Sequence, residues 1–169
     1  KGIILREKDL SENEYKLLAQ NVIKICKKYN TPCILHSFTE VAKELNFKAL
    51  HLPLNALMSL SEEDKKKFSI LGASCHSIED ALIAEKAGAT YITAGHIFET
   101  DCKKGLAGRG LEFLQGVCKS VKIPVYAIGG ITPKKIVELK NCGAYGACVM
   151  SSIMKCENVS DYLQELMYS

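Results

Sequence analysis

Short apolar runs alternate with amphipathic segments along the whole of this 169-residue chain. Most of the runs are continuous rather than alternating, which is typical of strands covered on both faces in a parallel α/β sheet. We therefore predict seven strands from these runs, at residues 2–5, 33–35, 49–52, 68–74, 91–94, 124–128 and 146–150.

Amphipathic or charged segments separate the predicted strands, and several carry residues that begin or end a helix. Ser11, Ser61 and Ser77 stand where an N-cap is expected, and Gly88 and Gly143 stand where a helix is expected to end. Helices are predicted to begin after Ser11 and Ser61. Further helices are predicted at residues 38–45, 78–87, 111–120, 134–141 and 159–167.

The repeated strand–helix order predicts an α/β fold, and the number of units is close to that of a TIM (β/α)₈ barrel. A complete barrel usually has about 250 residues, so this chain is short for one. An open, doubly wound sheet is the alternative, although the Gly-x-Gly-x-x-Gly fingerprint is absent after the first strand. The length and the even composition predict a single domain over residues 1–169.

The composition excludes several classes of partner. The chain is 47% hydrophobic and 24% charged, with a net charge of +3, which suits a globular domain with a sizeable core. The one dense basic run, residues 65–67, lies beside acidic residues, so we expect a solvated helix face and no nucleic-acid partner. No apolar run reaches the ~18 residues of a membrane-spanning helix, so no membrane partner is expected.

Cysteine placement bears on the cellular compartment and on metal binding. Six of the eight cysteines lie in or beside apolar runs. No Cys-x-x-Cys pair is present, and no His/Cys cluster has the spacing of a zinc site. We therefore expect reduced, mostly buried thiols in a cytoplasmic protein, with no metal or other cofactor.

Polar side chains gather where the predicted strands end, which is the edge at which parallel α/β folds bind ligands. All four histidines of the chain follow predicted strands, at His36, His51, His76 and His96. A single histidine is more often structural, but four at one edge favour a functional site. The connection at residues 95–105 is longer than a strand–helix unit needs, and it adds Thr100 and Lys103.

Two turns near the end of the chain are suited to binding a phosphate group. Gly129 and Gly130 lead into a predicted helix, and Met150, Ser151 and Ser152 follow the last predicted strand. Backbone N–H groups in such turns bind anions, and the last two loops of (β/α)₈ barrels often form a phosphate site. The simpler alternative is that the glycines only make a tight turn.

Three basic residues also follow predicted strands and would suit a further anionic group. They are Arg6, Lys8 and Lys103. Taken one at a time, each is as readily explained as a solvated surface charge.

In this order, these residues resemble the thiamine-phosphate synthase/TenI superfamily over nearly the whole chain. The resemblance lies in Leu5-Arg6-Glu7-Lys8, Gly72-Ala73-Ser74-Cys75-His76-Ser77, residues 95–103, Ala127–Ile131 and Val149–Ile153. It implies a TIM barrel that lacks its first βα unit in this chain, a homodimer, and a role in making the thiazole part of thiamin. It also leads us to expect ~25–35 further N-terminal residues in the natural chain, the length of one βα unit.

The chain departs from the synthase branch of the superfamily at two aspartates that hold Mg²⁺ on a diphosphate. Ser37 and Ala56 stand at those positions and supply no carboxylate oxygen. The segment His-Ile-Phe-Glu-Thr-Asp-Cys-Lys-Lys-Gly, residues 96–105, instead resembles the TenI branch of thiazole tautomerases. The resemblance thus implies a metal-free isomerase that aromatises the dihydrothiazole carboxylate phosphate released by thiazole synthase.

Such a tautomerase needs an acid/base group with a pKa near neutral, and the resemblance assigns that role to His76. It assigns binding of the small-molecule thiazole phosphate carboxylate to Arg6, Lys8, His36, His51, Ser74, Thr100 and Lys103. It assigns binding of the phosphate group to Gly129, Gly130, Met150, Ser151 and Ser152.

Two other functions remain open from the sequence. One is a Mg²⁺-dependent thiamine-phosphate synthase, a transferase, and the other is a non-catalytic regulator that binds a thiazole phosphate. The missing aspartates favour the tautomerase over the synthase. The four histidines favour it over the regulator, because a protein that only binds its ligand needs no acid or base.

Overall fold

The computed structural model describes residues 2–103 and 105–168. The chain divides into two compact units, Lys1–Ala73 and Ser74–Ser169. Strands and helices alternate in both units, and the strand pairs within each unit are parallel. This confirms the predicted α/β class, while the prediction of one domain over residues 1–169 stays a prediction.

The first unit is a parallel sheet with helices between its strands. The strands are β1 (Ile3–Leu5), β2 (Cys33–His36) and β3 (Ala49–Pro53). The helices are α1 (Glu12–Lys28), α2 (Thr39–Glu44), α3 (Leu54–Ser59) and α4 (Glu62–Lys65). Leu5 lies opposite Leu35 in the register, and His36 lies opposite His51. The polar ends of β2 and β3 therefore meet at one edge of this sheet.

Local sequence explains why α1 begins where it does. The Ser11 hydroxyl accepts a hydrogen bond from the backbone N–H of Glu14 at 3.4 Å, and the Glu14 carboxylate accepts one from the Ser11 N–H at 2.9 Å. This reciprocal pair satisfies N–H groups that a helix start leaves unpaired. Leu35 on β2 and Leu50 on β3 are fully buried, because continuous apolar strands are covered on both faces, and Leu57 on α3 is fully buried as well.

Strand β4 (Ile70–Cys75) crosses the boundary between the units. The second unit then contains strands β5 (Tyr91–Gly95), β6 (Val125–Ile128) and β7 (Gly146–Cys148). Its helices are α5 (Ile78–Lys86), α6 (Gly110–Ser120), α7 (Ile136–Asn141), α8 (Ser151–Lys155) and α9 (Val159–Tyr168). Two 3₁₀ turns, Asp101–Lys103 and Pro133–Lys135, lie in its connections. Over the described residues the strands number seven, as predicted.

The structure adds helices α3 and α8, which the sequence pattern did not predict. It also begins α7 at Ile136 rather than at residue 134, because the residues from Pro133 onward first form a 3₁₀ turn. Such turns are common at helix starts. Helix α7 is therefore six residues long and shorter than the predicted helix.

The described cysteine side chains are all free thiols. Cys26, Cys33 and Cys75 are buried, whereas Cys118, Cys142, Cys148 and Cys156 are half-buried. Burial raises the pKa of Cys33 and of Cys75 to about 12, so both thiols stay protonated at neutral pH. Among the described residues, no helix is long and apolar enough to cross a lipid bilayer.

Candidate functional site

Two buried histidines lie at the ends of β2 and β3 in the first unit. His36 is 6% exposed and His51 is 2% exposed. Their rings stack with centroids 5.3 Å apart. Ser37 turns the chain after β2 with a φ of +68°, and its Oγ lies 2.6 Å from Nδ1 of His36. Together, His36, Ser37 and His51 form the histidine cluster.

Burial keeps both imidazoles of the histidine cluster neutral. It is the main reason why the pKa of His36 falls to about 4, and the positive charges of Arg6 and Lys8 lower it further. The pKa of His51 falls to about 3, first because of burial and second because of its neighbour His36. The structure thus brings together the predicted residues Arg6, Lys8, His36 and His51. The lysine and arginine supply charge there, while the histidines supply neutral ring nitrogens.

Tyr15 on α1 fixes the position of the histidine cluster, and the sequence analysis did not identify it. Its hydroxyl donates to the carbonyl oxygen of Leu5 at 2.7 Å and accepts from the N–H of His36 at 3.0 Å. Its ring stacks on Phe38 with centroids 3.9 Å apart. The end of β1, which leads directly into Arg6, is therefore tied to the end of β2. Tyr15 is fully buried, and buried Tyr hydroxyls usually have a partner, but that burial depends on how α1 packs and is not visible in the sequence.

The residues at this edge do not fit the Mg²⁺ ion that the superfamily resemblance implies. Mg²⁺ requires close oxygen ligands, usually with at least one carboxylate. The Ser37 hydroxyl is engaged by His36, and Ala56 on α3 has no oxygen in its side chain. Across residues 2–103 and 105–168, no group of three or more His, Cys, Asp or Glu side chains could hold a metal ion.

His76 follows β4 in the second unit, and its side chain is exposed. Its backbone N–H donates to the Asp80 carboxylate at 2.7 Å, and its Nδ1 lies 2.9 Å from the carbonyl oxygen of Gly95. A carbonyl oxygen only accepts, so Nδ1 is the donor and Nε2 of the neutral ring is left as an acceptor. The imidazole is thus held in one tautomer, with one nitrogen available to a ligand.

Other predicted substrate residues also lie in the second unit. Ser74 is half-buried on β4, where its Oγ accepts from Thr93 Oγ1 at 3.5 Å. Thr100 precedes the 3₁₀ turn, and its carbonyl oxygen accepts from the N–H of Lys103 at 3.0 Å. The Lys103 side chain is exposed. Lys104, in the middle of the predicted functional loop, lies outside the described residues.

The turn at Gly129 and Gly130 packs directly against the loop that follows β5. The two glycines have φ angles of +102° and +63°. A Cβ on Gly129 would lie 2.8 Å from Cα of His96, and one on Gly130 would lie 2.9 Å from Cβ of Phe98. Only glycine therefore fits at either position. The tight turn therefore requires glycine at both positions, whether or not the turn also binds a phosphate.

Lys135 brings a positive charge to this glycine turn, and the sequence analysis did not select it. Its ammonium donates to the carbonyl oxygen of Gly130 at 2.9 Å and lies 4.0 Å from the centroid of the Phe98 ring. The available signal was a lysine in the first helical turn after a Gly-Gly pair. Met150, Ser151 and Ser152, the other predicted phosphate residues, form the N-cap and the first turn of α8.

His96 in the second unit is a buried polar side chain that is only partly satisfied. It is 7% exposed, and its Nε2 lies 3.4 Å from the carbonyl oxygen of Leu106. Its Nδ1 is buried and has no hydrogen-bond partner among the residues that the structure describes. The backbone N–H of Arg109 donates to its carbonyl oxygen at 3.0 Å. His96 thus anchors both ends of the long loop beneath the glycine turn.

The sequence has clear relatives of known name. A family described as thiamine monophosphate synthase matches residues 1–153. The thiamine-phosphate synthase of Clostridium tetani is 36% identical over 167 residues, which are 96% of this chain and 78% of the relative. The thiamine-phosphate synthase of Caldivirga maquilingensis is 37% identical over 151 residues, which are 88% of this chain and 73% of the relative.

Solved structures show the same relationship. The thiamine phosphate pyrophosphorylase from Pyrococcus furiosus is 31% identical and superposes with a TM-score of 0.84, over 99% of this chain and 81% of that one. The thiamine phosphate pyrophosphorylase from Bacteroides thetaiotaomicron has a TM-score of 0.67 at 21% identity, over 98% of this chain and 82% of that one, which supports the fold alone. These likenesses confirm the predicted α/β barrel-type fold, with seven strands where a complete barrel has eight.

The prediction of a thiazole tautomerase, and with it an isomerase, is wrong as the main function. Relatives that are 36% and 37% identical over 96% and 88% of this chain are named thiamine-phosphate synthases. The prediction relied on the loop at residues 96–105 and on the lost aspartates at Ser37 and Ala56. Those aspartates concern how a metal is held, and two such changes do not by themselves change the class of reaction.

Three findings agree with one another: the family match over residues 1–153, the identities of 36% and 37%, and the TM-score of 0.84. The chain therefore belongs to the thiamine-phosphate synthase/TenI family, whose members are enzymes of thiamin biosynthesis.

Proposed function

We propose that this chain is a thiamine-phosphate synthase, a transferase that joins a pyrimidine, carried as its diphosphate, to a thiazole phosphate. The observation that carries the proposal is the 36% identity with the synthase of Clostridium tetani over 96% of this chain. In this transfer the thiazole ring nitrogen forms a bond to the methylene carbon of the pyrimidine. The bond between that carbon and the diphosphate oxygen breaks, and pyrophosphate leaves with the electron pair.

We assign the phosphate of the thiazole to the glycine turn of the second unit. Gly129 and Gly130 leave their backbone free of side chains, and Lys135 holds an ammonium group against the Gly130 carbonyl oxygen. Backbone groups with a nearby cation are a common arrangement for phosphate binding. Ser151 and Ser152, with Met150, are assigned as additional phosphate contacts because their half-buried hydroxyls begin α8.

The remaining residues of the second unit are assigned to contacts with the substrate rings and polar groups. His76 offers Nε2 as an acceptor, because its Nδ1 is engaged by Gly95. Ser74, Thr100 and Lys103 add hydroxyl and ammonium groups. The synthase reaction needs these groups to orient two substrates, since holding reactants in line is itself a large part of catalysis. The homodimer expected from the family resemblance stays a prediction.

Turnover with both substrates tests the proposal directly. The protein is incubated with the pyrimidine diphosphate and the thiazole phosphate, and thiamine phosphate and pyrophosphate are quantified by chromatography with mass detection. We expect equal amounts of both products, and none when either substrate is omitted. The Clostridium tetani synthase serves as the positive control. Binding of the thiazole phosphate without product, under conditions in which the control turns over, would refute the synthase and indicate a binding protein.

A matched pair of lysine variants tests the assignment of the glycine turn. Lys135→Met removes the ammonium at Gly130, whereas Lys134→Met removes an exposed neighbour with the same charge. We expect Lys135→Met to raise the KM for the thiazole phosphate by ~10-fold or more, as charge-assisted contacts to phosphate do. The Lys134→Met protein should behave like the wild type. Equal effects of the two substitutions would remove Lys135 from the site.

A further inference from the structure

The first unit lacks the carboxylates that would hold a metal, yet it keeps unpaired positive charge at the same edge. We propose that the first unit binds a diphosphate group directly, through Arg6, Lys8 and His36, with no divalent cation between protein and ligand. This inference rests on the proposed synthase function, because it states how that enzyme holds its diphosphate substrate.

The missing carboxylates remove both the metal site and the negative charge that a metal would have to offset. A carboxylate beside a diphosphate repels it unless a cation lies between them, so acidic residues and metal are needed together. Here Ser37 and Ala56 leave neither the repulsion nor the metal ligand. Arg6 and Lys8 place two positive charges near His36, against the one carboxylate of Glu7, whose charge acts on the neighbouring Tyr15. A bare diphosphate therefore meets positive charge at this edge.

The cations at this edge have no acidic partner to displace. Within the described part of the first unit, neither Arg6 nor Lys8 forms an ion pair. The described ion pairs of this unit involve other lysines, namely Lys16, Lys43, Lys65 and Lys67. An arginine in particular can donate two parallel hydrogen bonds to a phosphate group. The ligand would thus satisfy charges that the protein itself leaves exposed.

His36 is held in place before any ligand arrives. Ser37 engages its Nδ1, Tyr15 accepts from its backbone N–H, and the ring of His51 stacks against it. Nε2 is the ring nitrogen left for an anion. A neutral donor fixed in this way stabilises a ligand without the entropy cost of ordering a side chain. The histidine cluster thus offers the ligand a directional hydrogen bond from Nε2 of His36.

Calorimetric binding of inorganic pyrophosphate tests the inference, first in EDTA and then with MgCl₂. We expect binding in EDTA that MgCl₂ does not strengthen. Arg6→Gln and Lys8→Gln should each weaken this binding by ~10-fold or more. Lys66→Gln, which removes an exposed lysine of the same unit, is the matched control and should bind like the wild type. All three changes are at exposed positions, so folding is expected to survive them.

Restoring the lost carboxylate gives a second test. Ser37 has a positive φ, which Asp and Asn both tolerate, so Ser37→Asp can be compared with the uncharged Ser37→Asn. In EDTA we expect Ser37→Asp to bind pyrophosphate ~10-fold or more weakly than Ser37→Asn, because the new charge repels the ligand. MgCl₂ should recover part of that loss in the Asp variant alone.

The outcomes separate this inference from the proposed function. Pyrophosphate binding that appears only with MgCl₂, or that is unaffected by both Arg6→Gln and Lys8→Gln, overturns the inference. Absence of binding in both conditions also overturns it. If turnover succeeds but requires Mg²⁺, the synthase stands and metal-free binding fails. If pyrophosphate binds in EDTA but no thiamine phosphate forms, metal-free binding stands and the synthase fails.

Discussion

Acid should destabilise this protein through the histidine cluster. In the folded chain the pKa of His36 is about 4 and that of His51 is about 3, whereas an unfolded histidine titrates near ~6.5. Between these values the unfolded state binds more protons than the folded state. The free energy of unfolding therefore falls as the pH is lowered below ~6.5, and it continues to fall until the folded histidines themselves take up protons.

The size of the effect follows from the same values. Between about pH 7 and about pH 5, an unfolded histidine becomes almost fully protonated while both folded ones stay neutral. Each histidine then costs about 2 kcal/mol of stability by proton linkage, and the pair costs about 4 kcal/mol. The whole stability of a domain is roughly 5–15 kcal/mol, so this loss is large enough to measure.

Urea unfolding of the wild type and of His51→Asn, followed by circular dichroism at both pH values, measures the contribution. The Asn variant is expected to be less stable at either pH, because a buried side chain has been cut back. Between the two pH values, however, it should lose about 2 kcal/mol less than the wild type. Carboxylates titrate alike in both proteins, so their contribution cancels. Equal losses in the two proteins would show that His51 is not held neutral, and the reasoning would fail.

Two further predictions concern the packing that positions the candidate sites. Gly129→Ala should lower the free energy of unfolding by about 2–5 kcal/mol in urea, because it adds the strain of a positive φ to a clash with His96. The control Gly88→Ala, with a φ of +93° and open space around it, should lower it by only about 1–2 kcal/mol. Equal losses in the two variants would contradict the clash. Tyr15→Phe should lower the free energy of unfolding by about 1–3 kcal/mol and weaken pyrophosphate binding, because two backbone groups lose their partner. The control Tyr29→Phe, at an exposed position, should change neither. A Tyr15→Phe protein with wild-type binding would show that Tyr15 is not a positioning residue.

Most helices and strands were predicted correctly, because helix caps and apolar periodicity act between residues that are close together in the sequence. Ser11 and Ser77 cap α1 and α5, as expected from a hydroxyl placed before an amphipathic segment. Helix α3 was missed because it follows β3 with no polar connection, so one apolar stretch contains both. Strand β4 begins at Ile70 rather than at residue 68, because Phe68 still belongs to the turn after α4, where its backbone N–H donates to the carbonyl oxygen of Lys65.

The candidate site was predicted in outline, and the missing parts are those that depend on distant contacts. The positions of His36 and His51 at strand ends followed from the strand pattern, whereas the role of Tyr15 required knowing that α1 packs on that edge. Lys135 was missed for a similar reason, since its contact with Phe98 joins residues far apart in sequence. The tautomerase prediction was wrong because the loop at residues 96–105 and the two missing aspartates were given more weight than the likeness of the whole chain.

The sequence by itself determined the α/β class, the family, and the kinds of chemical groups that end each strand, because periodicity and residue order are properties of the chain. Only the tertiary structure decided the state of those groups. It buries His36 and His51 until they are neutral, leaves Arg6 and Lys8 without acidic partners in the described residues, and packs Gly129 against His96. Burial and electrostatic contact depend on which distant residues come together, and that is set by folding.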